Sequence, residues 1–540
     1  MTVSAAKKKS HAVAESAVAE NVPAEVPGIL SLLCRRGIIF LCALVWFGAF
    51  APLGIDLHHD GVMMIPALRV ADGAMVFRDV FCQYGFLSPV LQGIALRFGG
   101  GELLVMKYFS VLFYAGSAVM LDIIWQDILS PRWRNVMLLM MFTLMPDLVV
   151  IFHPWSSIFA LFFSLLALWS EIKYLKCGKL YWLFCAGIGA GITFLARHPV
   201  GVVTLIAILG TVFVESGIRA SRMTAVKKFF IGSAVTVGGF LLVSGGIGIL
   251  LAACGAWDDF VFQCVTYVFD FVSMRGEGGS EGQWRYFAAS LCPFITDNGF
   301  FDSVFAIMPL LVLPWLYLCA RRAMHKDGSD VEKDLILLCC GIFALGAWHQ
   351  YYPVPCVRHI FWGGVPFFGF FVLTVARLWQ MQKRKYLCRA GAVILLLWWA
   401  GCALPRLRSG YIRVTEFDKR RAIDIPGVRG IKFSRAETMI IGALRNCVDN
   451  LPDSIKARGV LNYTEDAMWS ILLPDAGFKH KQFLIMKGGL YKDYDPAVME
   501  FIRQRRPVVL SCRKLDIERY SEIFSAQYMG NDYRIYIPWE

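Results

Sequence analysis

Long apolar runs constrain this chain most, because about 20 consecutive nonpolar residues are enough to cross the hydrocarbon core of a bilayer. Such runs recur from near the N-terminus to about residue 405. The 540 residues are 57% hydrophobic and only 18% charged, with a mean hydropathy of +0.54. Soluble proteins carry more charge than this. The sequence therefore predicts a polytopic α-helical membrane protein.

The spacing of the runs predicts about eleven transmembrane helices, and the two helices that flank Arg197 can also be read as one re-entrant hairpin. Every second predicted loop is short and basic, which is typical of the cytoplasmic side. This accounts for the net charge of +13 without a nucleic-acid partner and predicts a cytoplasmic N-terminus and an extracytoplasmic C-terminus. The predicted helices lie at residues 36–53, 104–126, 134–151, 156–173, 180–196, 200–217, 228–254, 301–320, 334–350, 360–378 and 388–405.

Composition divides the chain into three parts. Residues 1–30 lack an apolar signal region and predict a disordered cytoplasmic tail, and residues 31–405 form the membrane domain, with a first extracytoplasmic loop at 54–103. Residues 406–540 are much more polar and predict an extracytoplasmic α/β domain. No glycine-rich phosphate loop follows its predicted strands, which favours a lid or an acceptor-recognition module. The predicted strands are 459–463, 482–486, 507–512 and 533–539, and the predicted helices are 435–450, 465–473, 496–505 and 515–527.

Acidic and basic residues are concentrated directly after the first apolar run, between Leu53 and Gly85. Asp56 follows the predicted end of the first helix by about three residues, and Asp60 lies one turn further on. A carboxylate at a membrane boundary can accept the proton of an acceptor hydroxyl, so both are candidate catalytic residues, with Asp56 preferred. The alternative interpretation is that Asp56 only caps an interfacial helix.

His58, His59 and Asp60 together offer a possible metal site. Adjacent histidine side chains point in different directions, so this spacing is a weak metal signature. We therefore expect no cofactor, although a divalent metal is an open alternative. His58 and His59 remain candidate substrate-binding residues.

Further along the same loop, Arg78 and Asp79 either pair with each other at the surface or serve a substrate. In the second case Arg78 offers a planar fork to a phosphate. Tyr84 and the aromatic residues near it predict an amphipathic helix at 77–86 that lies in the membrane interface, beside a substrate.

Two further basic sites fall on the same predicted side of the membrane. Arg197 lies between two apolar helices, and the pair Arg358–His359 precedes a late helix. Arginine at the edge of a span is usually paired or functional, so we expect these cations to bind an anion such as a phosphate. The alternative is that each is an interfacial anchor. Asp147 and Asp297, in facing loops, would pair with these cations or assist catalysis.

In combination these motifs resemble the GT-C superfamily of integral-membrane glycosyltransferases, which includes the protein O-mannosyltransferases and the bacterial lipid A aminoarabinose transferase. The matching stretches are PALRVADGAMVFRDVFCQYG (66–85), FLARHPVG (194–201) and VRHIFWGGVPF (357–367), with the acidic first loop and the C-terminal α/β segment. The resemblance implies sugar transfer from a polyprenyl-phosphate donor, with Asp56 as base or acceptor organiser. Asp56-Leu57 replaces the Asp-Glu pair of the O-mannosyltransferases, which favours a lipid or envelope-glycan acceptor over a protein.

Other classes of protein fit the sequence less well than a membrane glycosyltransferase does. A transporter or flippase for a lipid-linked saccharide is the main alternative, but the two halves show no internal repeat and the ionisable residues lie at one face. A polysaccharide polymerase or ligase would carry its main loop late in the chain. A non-enzymatic scaffold has no need of a carboxylate at Asp56. The expected partners are therefore the lipid-linked donor, the acceptor and membrane lipids of the inner membrane.

Overall fold

The computed structural model describes residues 29–268, 308–325, 330–351, 357–486 and 490–539. Across these ranges, seven helices are long and apolar enough to cross a membrane, and Leu180–Ala196 is a shorter apolar helix. The protein is thus an α-helical multi-pass membrane protein, as its apolar runs predict. The seven are Ile29–Gly48, Leu103–Ile124, Ser156–Cys177, His198–Arg219, Arg222–Ala253, Val357–Gln380 and Lys385–Thr415.

The described ranges contain fifteen helices up to residue 415. Some of them are shorter than the predicted transmembrane helices. The fifteen helices are α1 (Ile29–Gly48), α2 (His59–Ala71), α3 (Leu87–Phe98), α4 (Leu103–Ile124), α5 (Pro131–Thr143), α6 (Ser156–Cys177), α7 (Leu180–Ala196), α8 (His198–Arg219), α9 (Arg222–Ala253), α10 (Trp257–Val261), α11 (Met308–His325), α12 (Val331–Ala347), α13 (Val357–Gly364), α14 (Phe368–Gln380) and α15 (Lys385–Thr415). Short 3₁₀ turns lie at Pro146–Leu148, Trp348–Tyr351, Val365–Phe367 and Phe417–Lys419, and a π-helical turn at Phe262–Thr266.

Glycines allow the helices of the bundle to approach closely. A Cβ atom added to Gly187 of α7 would lie 2.0 Å from the carbonyl oxygen of Thr236 in α9, and one added to Gly239 would lie 2.3 Å from that of Phe184. Small residues at helix contacts are typical of membrane bundles, where packing rather than water drives association. The α7–α9 contact therefore depends on these two glycines.

Two predictions for the first half of the chain are wrong. The predicted helix at 77–86 is absent: Phe77 has a φ of 73° and its N–H donates to the carbonyl oxygen of Val80, so the chain turns there. The helices on either side of this turn are α2 and α3. The predicted helix at 134–151 ends at Thr143, because Pro146 cannot donate the hydrogen bond that would continue it.

Residues after α15 form a four-stranded mixed sheet, a separate two-stranded sheet and several helices. The strands are β1 (Arg421–Ala422), β2 (Lys432–Phe433), β3 (Val460–Tyr463), β4 (Val508–Ser511), β5 (Tyr520–Tyr528) and β6 (Asn531–Pro538), and the helices are α16 (Arg435–Asp449), α17 (Asp453–Lys456), α18 (Trp469–Leu472) and α19 (Tyr494–Arg505). β3 pairs with β4 in parallel, β4 with β6 antiparallel, and β6 with β5 antiparallel. All residues of β3 and β4 are buried, which explains why both strands are mainly apolar.

Three helix and strand predictions in this C-terminal part need correction. Residues 515–527 are not a helix, because 520–528 pairs with β6 through a tight turn at Met529–Gly530. Residues 482–486 form no strand, and only 469–472 of the predicted helix 465–473 is helical. The expected boundary after Pro405 lies inside α15, which continues to Thr415.

Candidate active site

Asp56 lies in the turn between α1 and α2, and its side chain has two environments. Its Oδ1 accepts hydrogen bonds from the backbone N–H groups of His58 (3.1 Å) and His59 (2.7 Å) at the start of α2. The side chain is nevertheless 27% exposed. Asp56 therefore caps the helix, as the alternative interpretation holds, and also presents a carboxylate to the space beside it.

Asp60 is fully buried and belongs to a polar chain that sequence reasoning did not find. Its Oδ2 lies 3.1 Å from Nζ of Lys107 on α4, and its Oδ1 lies 3.0 Å from Nδ1 of His153. Lys107 also donates to the carbonyl oxygen of Gly54 at 3.0 Å. A buried charge without a partner is very costly, so Lys107 and Asp60 stabilise each other and fix the orientation of His153.

His153 connects Asp60 to Asp56, since its Nε2 lies 3.5 Å from Oδ2 of Asp56. Burial opposes ionisation of Asp56, but the hydrogen bond from His59 and the charges of His153 and His59 hold its pKa well below the usual range. Burial also raises the pKa of Asp60, but the charge of Lys107 together with the charge and hydrogen bond of His153 outweighs it, so that this pKa is lowered too. Burial lowers the pKa of His153 to about 4. Both carboxylates are therefore ionised at neutral pH and His153 is neutral.

His58 points away from this cluster, as adjacent histidines usually do. Its Nδ1 lies 2.6 Å from the carbonyl oxygen of Glu465 in the C-terminal part, while Nδ1 of His59 lies 3.1 Å from both oxygens of Asp56. The set of His58, His59 and Asp60 therefore does not converge on one point. The group that does is Asp56, His59 and His153, whose ligand atoms all lie within 4.8 Å of one another.

Aromatic rings line the space from this cluster to the predicted cations. The ring of His59 lies 5.1 Å from that of Trp155, and Trp155 lies 5.0 Å from Tyr84 and stacks at 6.3 Å on Trp362. The guanidinium of Arg197 in turn lies 5.9 Å from the Trp362 ring centre. The candidate catalytic carboxylate and this cation thus share one aromatic-lined region.

Arg197 has extended backbone between α7 and α8, and its side chain donates to the hydroxyl of Ser157 at the start of α6. His359 packs near it, with its ring 5.7 Å from that of Trp362. Burial raises the pKa of Tyr84, and the charges of Arg197 and Arg358 partly offset this rise. Both guanidinium groups therefore lower the pKa of the same phenol, although the two arginines are 161 positions apart in the sequence.

Arg358 and Asp147 both have buried polar atoms that lack a hydrogen-bond partner, the Nε of Arg358 and the Oδ2 of Asp147. Burial raises the pKa of Asp147 to about 7, against the opposing charges of Arg358 and Arg413. Arg413 of α15 donates to the backbone oxygen of Asp147 at 2.7 Å. An anion near Arg358 would find a hydrogen-bond donor that no group in the described part of the chain occupies.

Arg78 and Asp79 form the surface pair that was the alternative interpretation. Nε of Arg78 lies 2.8 Å from Oδ1 of Asp79, and its Nη1 donates to the carbonyl oxygen of Cys254 at 3.0 Å. Asp79 also accepts from the N–H of Met75 at 2.8 Å. These contacts stabilise the turn between α2 and α3. The other predicted acidic residue, Asp297, lies outside the described residues.

The C-terminal part holds the turn that carries Asp56. The N–H of Gly54 donates to the carbonyl oxygen of Lys432, and the N–H of Ile55 donates to Glu437 Oε1, each at 3.0 Å. On the other side of Asp56, the N–H of Met468 donates to the carbonyl oxygen of Leu57 at 3.0 Å. Both flanks of the catalytic candidate are thus attached to residues more than 370 positions away.

Sequence reasoning missed Lys107, His153, Trp155 and Trp362. Lys107 could have been noticed as a single charge inside the apolar run LLVMKYF, since such a charge is usually paired or functional. His153 and Trp155 lie in the short segment FHPW, which falls between the predicted helices 134–151 and 156–173. Nothing in the sequence distinguishes Trp362 from an ordinary core residue.

An apolar cavity of about 490 Å³ opens next to this region, on the side of α7 and α9. It is lined mainly by aromatic and aliphatic side chains, including Phe86, Leu195, His198, Phe240, Leu251 and Trp257. Two of the lining residues, Leu195 and His198, are close neighbours of Arg197 in the sequence. Its lining is suited to a hydrocarbon chain.

Fold and site together define a class of protein, a multi-pass helical membrane protein with a buried ionic cluster beside a cation-rich aromatic region. Comparison with known protein families finds no family model that matches the chain. A search among curated proteins likewise gives no match.

Proposed function

We propose that the protein is a membrane glycosyltransferase of the GT-C type, which moves a sugar from a polyprenyl-phosphate donor to an envelope lipid or glycan. The observation that carries the proposal is that Asp56 and Arg197 share one region, joined by the ring contacts of His59, Trp155 and Trp362. Glycosyl transfer from a lipid phosphate needs an ionised carboxylate for the acceptor and a cation for the leaving group in the same site.

Asp56 is the proposed acceptor-binding residue and proton acceptor. A hydroxyl that attacks the anomeric carbon becomes strongly acidic as the new C–O bond forms, so a carboxylate with a lowered pKa still accepts its proton. Asp60 has no exposed surface and contacts Lys107 and His153, which suits a positioning role. The proton lost by the acceptor hydroxyl goes to Asp56, and the bond from the sugar to the phosphate breaks on the opposite face. One such displacement inverts the anomeric centre.

Arg197, Arg358 and His359 are proposed to bind the donor phosphate. The leaving group is a phosphate monoester anion, and guanidinium groups stabilise the negative charge that it gains. The buried Nε of Arg358 has no hydrogen-bond partner among the described residues, which supports a role as a donor to this anion. Arg78, the fourth predicted phosphate ligand, is engaged by Asp79 and contributes less in this proposal.

The polyprenyl chain is proposed to occupy the apolar cavity of about 490 Å³ beside His198. Its position next to Arg197 would place a hydrocarbon tail and its phosphate in one continuous path. Tyr84 and Trp155 offer flat apolar faces on which a sugar ring stacks readily.

In this proposal the protein lies in the inner membrane, with Lys227 in the cytoplasm and the C-terminal α/β part outside. The basic character of every second predicted loop supports this orientation. Reporter fusions at Lys227 and at the C-terminus test it. We expect a cytoplasm-active reporter to work only at Lys227, and activity at the C-terminus would overturn both the topology and the placement of the site.

The function is tested in proteoliposomes that contain the purified protein, defined polyprenyl-phosphate sugars and a cell-envelope lipid extract. We expect free polyprenyl phosphate and a glycosylated acceptor to form together, and both to disappear with Asp56→Asn. Asp453→Asn is a matched control, because Asp453 is 96% exposed. If the donor crosses the membrane intact and no sugar is released, the protein is a flippase and the proposal fails.

A further inference from the structure

Asp56, His59 and His153 bring three groups of metal-ligand type to one point. One carboxylate oxygen and one imidazole nitrogen from each histidine all lie within 4.8 Å of one another. The rings of His59 and His153 stack, with their centres 5.3 Å apart. The three residues come from the turn before α2, from α2 and from the segment before α6, so a rigid scaffold holds them.

The two spacings that involve Asp56 are close to those of a tetrahedral site, and the nitrogens of the two histidines lie within 4.8 Å of each other. Nδ1 of His59 lies 3.1 Å from the oxygens of Asp56, and Nε2 of His153 lies 3.5 Å from Oδ2 of Asp56. A metal with bonds of about 2.0–2.2 Å in tetrahedral geometry has its ligand atoms about 3.3–3.6 Å apart. Only small side-chain movements are therefore needed to bring all three onto one ion.

His153 supplies the second, independent observation. Its Nδ1–H donates to Asp60 at 3.0 Å, so the neutral ring presents a lone pair at Nε2. This Nε2 is buried, has no hydrogen-bond partner and faces a carboxylate oxygen of Asp56. Two lone pairs that face each other in a buried place repel, and a cation between them removes the repulsion.

The surroundings of His153 have the form that metal-bound histidines usually have. A ligating histidine typically donates its other N–H to a carboxylate, which fixes the ring orientation and strengthens the ligand. Asp60 is that carboxylate, and Lys107 holds it at 3.1 Å.

We propose that Asp56, His59 and His153 bind a divalent transition metal of the zinc class, with at least one coordination position open. Two imidazoles and one carboxylate favour Zn²⁺ or Co²⁺ over Mg²⁺ and Ca²⁺, which prefer oxygen ligands only. The site takes an oxygen ligand in the open position, such as a phosphate oxygen or a hydroxyl. This inference concerns binding alone and stands or falls independently of glycosyl transfer.

The test uses the full-length protein in detergent, without a polyhistidine tag, stripped with a chelator and then titrated. We expect about one Zn²⁺ or Co²⁺ per chain by elemental analysis, with the visible bands of tetrahedral Co²⁺, and no comparable binding of Mg²⁺. His59→Ala should abolish binding and still fold, because the His59 side chain is 37% exposed. His153→Ala should abolish it as well, and His480→Ala, in the C-terminal part, is the matched control.

Two results overturn the proposal. One is wild-type protein that takes up neither Zn²⁺ nor Co²⁺ at micromolar concentration. The other is uptake that persists in His59→Ala, which would place the metal elsewhere. Because uptake and the cobalt spectrum are measured without substrate, a failed glycosyl-transfer assay leaves this result intact, and the reverse also holds.

Discussion

Asp60 and His153 lie 93 positions apart in the sequence, yet Oδ1 of the first and Nδ1 of the second are 3.0 Å apart in the folded chain. This contact is the centre of a buried path that runs from Lys107 through Asp60 and His153 to Asp56. It explains how a partly exposed carboxylate at the end of a membrane helix is held in one orientation. The predictions below test this path and the residues around it.

Asp56→Asn should lower the rate of sugar transfer by about 10²–10⁴-fold, because the amide keeps the shape and loses the basicity. Its carbonyl oxygen can still accept from the backbone N–H groups of His58 and His59, so folding should be preserved. Transfer is measured in proteoliposomes, and the melting temperature in detergent is the control. Near wild-type turnover would move the search for the base elsewhere in the site.

Lys107→Met should destabilise the protein strongly, by about 3–5 kcal/mol, because Asp60 is then left buried and without its main partner. The double variant Lys107→Met with Asp60→Asn should recover much of this loss, since no unpaired charge remains. Thermal unfolding in detergent measures both. The surface pair Lys456–Asp453 is the matched control, and its double replacement should change stability by less than about 0.5 kcal/mol. Additive losses at Lys107 and Asp60 would contradict a direct pairing.

Arg197→Ala and Arg358→Ala should each weaken apparent donor affinity by about 10–100-fold, the range for a hydrogen bond to a charged group. Lysine at either position should restore only part, because an ammonium cannot supply the planar fork of a guanidinium. Arg503→Ala, at a residue 77% exposed, is the control and should leave donor affinity unchanged. If lysine substitutes freely and affinity does not move, the two arginines only anchor helix ends.

Gly61→Ala should detach α2 from the C-terminal part. A Cβ atom there would lie 2.5 Å from the backbone nitrogen of Met468, which cannot shift like the end of a flexible side chain. We expect a loss of about 1–3 kcal/mol and slower transfer, because the same contact supports the Asp56 turn. Gly442→Ala in α16 is the matched control, since nothing lies within 4 Å of its Cβ position, and it should be neutral or slightly stabilising. Equal effects in both variants would refute this attachment.

Asp147 should make stability depend on pH. Its pKa rises from a usual 3.8 to about 7 on folding, so between these values the folded chain binds more protons than the unfolded chain. The free energy of unfolding is therefore not reduced by Asp147 below about pH 4. It falls as the pH rises from 4 to 7, by up to about 1.4 kcal/mol per pH unit. Asp147→Asn removes this term, and its melting temperature relative to wild type should increase between pH 5 and 8. A constant difference would show that Asp147 is ionised in the folded chain.

The sequence by itself determined the helical membrane class, because the length and polarity of an apolar run limit it to few structures. It also placed β3, β4 and β6 within a few residues, since short apolar runs between turn residues form buried strands. It drew attention to Asp56, Arg197 and Arg358, because charges beside apolar runs are costly and seldom without a purpose. All of these are local properties.

Only the tertiary structure decided what these residues contact. Residues 520–528 become a strand because β6 offers a partner, although their local pattern allows a helix. In the same way, His153 becomes a partner of Asp60 only when α4 and the segment before α6 come together around Lys107. Asp60 lies 47 positions from Lys107 and 93 positions from His153. The free energy of such contacts depends on burial and distance, which no local pattern of residues encodes.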